Sequence, residues 1–166
     1  MIFLFKSIKV NLLSKLIEKS AKILSTPEQD FEKRLVNLCN LFHKKISYYD
    51  WVGFYFSNFE NKTLELNAFA GSPTDHKVIP FGKGVCGEVA VKNKSSIIPD
   101  VSIHENYISC NINVKSEIVV PIFYNKLNIG QIDVDSFTFN AFTEEDMLFL
   151  EEISKMVSKE LNKVKK

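Results

Sequence analysis

Ser116-Glu117-Ile118-Val119-Val120-Pro121-Ile122-Phe123-Tyr124, then Asn125-Lys126, then Leu127-Asn128-Ile129-Gly130-Gln131-Ile132-Asp133-Val134-Asp135-Ser136, reads as two β-strands joined by a two-residue turn. So short a connection permits only antiparallel pairing. Upstream, Asp50 to Ser57 and Thr63 to Ala70 are a second β-rich pair across the polar loop Asn58-Phe59-Glu60-Asn61-Lys62, and Ser96-Ile97-Ile98 is a short strand closed by Pro99. Helical patterns occupy the chain ends. Between Ile8 and Leu24 the residues Leu12, Leu13, Leu16, Ile17 and Leu24 recur near helical spacing among lysines and Glu18. In Thr26-Pro27-Glu28-Gln29, a capping hydroxyl, a proline at the first helical position and a glutamine three residues after the cap predict a second helix to about Ile46. Its buried face would hold Leu35, Leu38, Cys39, Phe42 and Ile46. Thr143-Glu144-Glu145-Asp146 caps a last helix to about Lys163, and glycines 82, 84 and 87 bracket a short one ending near Lys92. From Pro99 to about Lys115 the chain reads as irregular. This order predicts an α+β fold, a central antiparallel sheet flanked by N- and C-terminal helices, and not a βαβ nucleotide fold.

At 166 residues the chain is the size of one domain, and 45% hydrophobic with 25% charged residues is the composition of a packed globular unit. Lysine plus arginine (21) nearly balances aspartate plus glutamate (20), so no field gathers nucleic acid or an acidic membrane. The apolar start Met1-Ile2-Phe3-Leu4-Phe5 meets Lys6 and Lys9, too soon for a membrane span and in the wrong order for a secretory signal. The expected location is the cytoplasm. Three cysteines, an odd number, then read as free thiols in a reducing compartment.

Strand alternation sends Gln131, Asp133 and Asp135 to one face and Ile132 and Val134 to the other. Glu117 begins the partner strand beside an apolar run. Three carboxylates gathered on one buried face would repel one another, raise at least one pKa and keep a proton available for donation. Alternation equally admits Asp133 and Asp135 on a solvated face. Cys86, in Phe81-Gly82-Lys83-Gly84-Val85-Cys86-Gly87, sits where a glycine-rich turn enters a helix, a place that favours a thiolate. Cys110 lies in the irregular segment, and Cys39 on an apolar helical stripe, where it fills core. No Cys-x-x-Cys or His-x-x-x-His pair supports a metal site from Cys86, Cys110, His43, His76 and His104, and no metal or other cofactor is expected. The glycines lack the lysine-serine/threonine ending of a phosphate loop. Trp51, Gly53 and Tyr55 share one face of their strand, as core aromatics or as the wall of a ligand pocket.

Five segments carry a resemblance: Asp50-Trp51-Val52-Gly53-Phe54-Tyr55; Gly82-Lys83-Gly84-Val85-Cys86-Gly87; Ile98-Pro99-Asp100-Val101; Cys110 followed by Lys115-Ser116-Glu117-Ile118-Val119-Val120-Pro121; and Gly130-Gln131-Ile132-Asp133-Val134-Asp135. In this order they resemble the free methionine-(R)-sulfoxide reductases, which are built on a GAF domain, over residues 27–160. The resemblance implies a GAF core over 26–163, which with the amphipathic helix read from apolar spacing over 1–25 gives a single GAF-like domain over residues 1–166. It implies Cys110 as the catalytic cysteine and Cys86 as the resolving one. Glu117, Asp133 and Asp135 match the family's substrate-binding acids, and Trp51 and Tyr55 its pocket aromatics. The implied reaction is thioredoxin-dependent reduction of free methionine sulfoxide, through a cysteine sulfenic acid and an intramolecular disulfide. One departure stands out: where family members often carry a further cysteine, about ten residues before Cys86, this chain reads Thr74-Asp75-His76-Lys77. The competing expectation is a non-catalytic GAF module that senses a small molecule or cyclic nucleotide, against which stand the absence of room for an output domain and the investment of two cysteines and three acids in pocket-lining segments. Pairing of two copies through the terminal helices is left open.

Overall fold

The computed structural model describes the backbone of residues 2–27, 29–108 and 111–164, and side chains within 7–161 of these. Helices α1 (Ile2–Leu24) and α2 (Phe31–Lys45) precede strands β1 (Trp51–Asn58), β2 (Thr63–Ala70) and β3 (Val78–Pro80). Helix α3 (Gly84–Lys92), strand β4 (Ser96–Ile98), a 3-10 turn (Val101–Ile103), strands β5 (Ser116–Tyr124) and β6 (Leu127–Ser136) and helix α4 (Glu144–Val164) complete the order. The strands form one antiparallel sheet, β3-β2-β1-β6-β5-β4, as expected, and the structure puts the two chain-end helical segments on the same face of it. Both edge strands have three residues, which limits the open hydrogen-bonding groups available to another chain.

The second helix starts later than Thr26-Pro27 suggests. Asp30 is its cap, its carboxylate accepting from the Lys33 N–H at 2.7 Å, while the Thr26 hydroxyl donates back to the Lys22 carbonyl and closes α1. A hydroxyl next to proline thus ends one helix and does not begin the next. Strand β3 was hidden in the sequence because it is three residues long and ends in Pro80, which an edge strand tolerates. Thr143 and Asp146 close the start of α4 reciprocally, the Asp146 carboxylate accepting from the Thr143 N–H at 2.8 Å. That buried carboxylate also accepts from the Tyr48 hydroxyl and from Lys9, tying α1 to α4.

Two apolar clusters lie on opposite faces of the sheet. The larger joins Leu16, Leu35, Leu38, Phe42, Phe149, Leu150 and Ile153 of the helices to Val52, Phe54, Ile118, Val120, Ile122, Ile132 and Val134. Cys39 belongs here, fully buried, and burial pushes its thiol far above the usual range. The smaller joins Trp51, Tyr55, Leu64, Ile79 and Val119 to Val85, Cys86 and Val89 of α3. Strand β2 serves both. Phe54 pairs with Ala68 but Tyr55 with Leu66, so Asn67 is an extra residue, and this bulge turns Leu64 and Leu66 toward α3 while Ala68 and Ala70 face the helical layer.

Candidate active site

Glu117, Asp133 and Asp135 are all on the face covered by α3, so the solvated-face alternative fails: they are 6%, 1% and 4% exposed. Pairing brings them together. Glu117 stands opposite Asp135 across β5 and β6, and Asp133 stands between Gly53 of β1 and Val119 of β5. Desolvation raises all three carboxyls, Asp133 to about 7 and the other two well above the carboxylate range. For Glu117 the charges of Asp133 and Asp135 add to the rise; for Asp135 those of Asp133 and Asp50 do.

Helix α3 lays Cys86 onto this cluster. The Cys86 thiol donates to Glu117 Oε1 at 4.0 Å, and the donor atoms of Cys86, Glu117 and Asp133 lie within 4.8 Å of one another. Gly87 makes the seat possible, because a Cβ there would lie 2.5 Å from the Pro80 carbonyl oxygen. Cys86 and Glu117 line a cavity of about 570 Å³, mouth included, with His76, Val78, Pro80, Lys83 and Ile108. A second hollow of about 350 Å³ is lined by Asp50, Trp51, Tyr55, Ser72, Asn111 and Asp135.

The aromatic wall is fixed from both ends. Trp51 stacks on Phe69 with centroids 5.9 Å apart and donates its indole N–H to the Ser72 carbonyl at 3.2 Å, while the Tyr55 hydroxyl donates to the His76 carbonyl at 2.9 Å. The indole lies across Gly53, where an added Cβ would be 2.2 Å from the ring. Gly53→Ala is therefore expected to push Trp51 off its stack at a cost of roughly 1–3 kcal/mol. Trp51 is the sole tryptophan, so the fluorescence spectrum of the variant should shift. An unchanged spectrum would show that the ring does not need this gap.

Cys110 lies outside the described residues. Of the histidines, His76 shares the cavity with Cys86, whereas His43 Nδ1 is 2.9 Å from the Tyr49 carbonyl oxygen and His104 Nε2 is 3.3 Å from Glu88.

A GAF domain model matches residues 31–161. A free methionine-R-sulfoxide reductase of Escherichia coli is 32% identical over 145 residues, 87% of this chain and 86% of that one. The chain belongs to the GAF-domain family of free methionine-R-sulfoxide reductases. A reductase of that name from Saccharomyces cerevisiae is 40% identical over 112 residues, which are 66% of this chain and 62% of the yeast protein. The solved structure of a free methionine-R-sulfoxide reductase from Neisseria meningitidis, in complex with its substrate, aligns with TM-score 0.87 and 32% identity over 93% of this chain and 90% of that one.

Two features of this reductase-family chain escape its strand and cysteine patterns. Asp50, just ahead of β1, accepts from the Phe137 N–H at 2.7 Å and lines the hollow with Asp135. A lone acid at a strand start gives no signal of this. Glu88 of α3 accepts from the Asn106 amide at 3.0 Å and pairs with His104 and Lys92. Hydrogen bonds from Lys92 and then Asn106 hold its carboxyl down at about 2, the opposite of the buried trio. Among the described residues, no helix is long and apolar enough to cross a membrane.

Proposed function

We propose that this protein reduces free methionine-(R)-sulfoxide to methionine with electrons from a thioredoxin-type dithiol, in the cytoplasm. The observation that carries the reading is the trio of buried, high-pKa carboxyls, Glu117, Asp133 and Asp135, packed against the Cys86 thiol beside Trp51 and Tyr55. Sulfoxide oxygen is a poor leaving group unless it is protonated, and carboxyls that hold protons near neutral pH supply that need.

In this reading Cys110 attacks the sulfoxide sulfur, a carboxyl of the trio delivers a proton to the oxygen, and the oxygen passes to the cysteine. Methionine leaves and Cys110 becomes a sulfenic acid. Cys86 then forms an S–S bond to Cys110 with loss of water, the Cys86 proton passing to a carboxylate and on to the departing hydroxide. Asp133, with its carboxyl near 7, is suited to that transfer. An external dithiol reduces the disulfide by exchange and is itself oxidised. The acids also accept hydrogen bonds from the substrate ammonium, and Trp51 and Tyr55 enclose its side chain. No cofactor takes part, and Cys86–Cys110 is the disulfide available in place of one using the family's extra cysteine.

The deciding assay follows NADPH consumption with thioredoxin, thioredoxin reductase and free methionine sulfoxide. Turnover with the R epimer is expected, and none at all with either epimer would return the protein to the sensory class. After substrate without reductant, peptide mapping should link Cys86 to Cys110, whose Cα atoms must then stand about 4.4–6.8 Å apart. Appearance of Cys39 in the induced bond would overturn the pairing.

A further inference from the structure

We propose that Cys86, Glu117 and Asp133 form an inhibitory zinc site, in which one Zn²⁺ replaces the protons of the three side chains and closes the cavity to substrate. The binding rests on the geometry of these residues; the inhibition rests also on the reductase reading.

The three donor atoms lie within 4.8 Å of one another, and each residue is buried. A tetrahedral zinc with Zn–S near 2.3 Å and Zn–O near 2.0–2.2 Å needs ligand atoms roughly 3.3–3.8 Å apart, which side-chain rotation of about an ångström supplies. Asp133 Oδ1 is a further sign of a vacant bonding position: it is buried without a hydrogen bond, although the Asp133 carboxyl has the Cys86 thiol as a hydrogen-bond partner. The set is chemically selective. One sulfur and two carboxylate oxygens suit zinc, whereas calcium takes six to eight oxygens and magnesium an octahedral, largely hydrated shell.

Charge favours a cation as well. With all three groups ionised the cluster would place three negative charges on buried residues, a burden that a bound cation offsets. An ion has a way in, because Cys86 and Glu117 line the open cavity. The pattern was invisible in the sequence because its ligands come from α3, β5 and β6, with no pair on one turn.

Metal-free, reduced protein is titrated with ZnCl₂ against a chromophoric chelator. Wild type is expected to bind one equivalent and to release protons, measured with a pH indicator, as the ion enters. Loss of an outer-shell partner alone weakens metal sites about 10–100-fold. Cys86→Ser, Asp133→Asn and Glu117→Gln, each checked for folding by circular dichroism, should lose at least that much, and Cys39→Ala should bind as wild type does. Zinc held undiminished by Cys86→Ser or Asp133→Asn, or no zinc bound by wild type, overturns the site. Activity of the metal-free enzyme tests the reductase reading separately, since zinc binding is read without turnover.

Discussion

Cys110→Ser is expected to abolish reduction of free methionine-(R)-sulfoxide, while Cys86→Ser should release about one equivalent of methionine per protein and then stop. The asymmetry follows from the two thiol roles. Without Cys110 there is no attacking sulfur. Without Cys86 the first step proceeds and the sulfenic acid has no thiol beside it, so it accumulates and can be trapped with dimedone and weighed by mass spectrometry. Cys86 suits the second role because it is buried on α3, 4% exposed, and its thiol donates into the acid cluster. Should both serine variants keep cycling with thioredoxin, the dithiol mechanism is wrong. A reversed pattern, with the burst in Cys110→Ser, would exchange the roles.

Asp133→Asn should lower kcat/KM by about 10²–10³-fold, the usual worth of a positioned acid, and should stabilise the protein in a pH-dependent way. In the folded state the Asp133 carboxyl is raised from an ordinary 3.8 to about 7, chiefly by desolvation. Folding therefore favours the protonated form. Below an ordinary carboxyl pKa both states are protonated and there is no penalty; as pH rises from about 4 to 7 the unfolded chain ionises and the folded one resists, so wild type loses stability over that window. The amide does not titrate. The gain in melting temperature of Asp133→Asn over wild type should grow between pH 4 and 7 and level off above. Equal activity with equal melting temperatures across that range would remove Asp133 from the site.

The hairpin from Ser116 to Ser136 was legible to the residue, because alternation and a two-residue turn are local signals. The start of α2 was not, since Thr26 and Asp30 both have capping side chains and only the packing of α1 decides between them. Alternation also placed Asp133 and Asp135 on one face without saying what covers that face. The cover is α3, brought there by contacts with β5 and β6 far away in sequence. Family resemblance picked out the acids and aromatics, but the bonds that hold Trp51 and Tyr55 run to carbonyls of Ser72 and His76, and backbone groups leave no mark in a sequence.

The two faces of the sheet divide the mutational neighbourhood of this protein. Along β5 and β6 the residues Ile118, Val120, Ile132 and Val134 belong to the helical core, and their immediate neighbours Glu117, Val119, Asp133 and Asp135 to the α3 side. Adjacent codons therefore answer to different selection, one for staying folded and the next for what is bound. A lineage can exchange the side chains of one face while the other continues to specify the same backbone, and the ligand of such a domain can drift without its architecture being rebuilt.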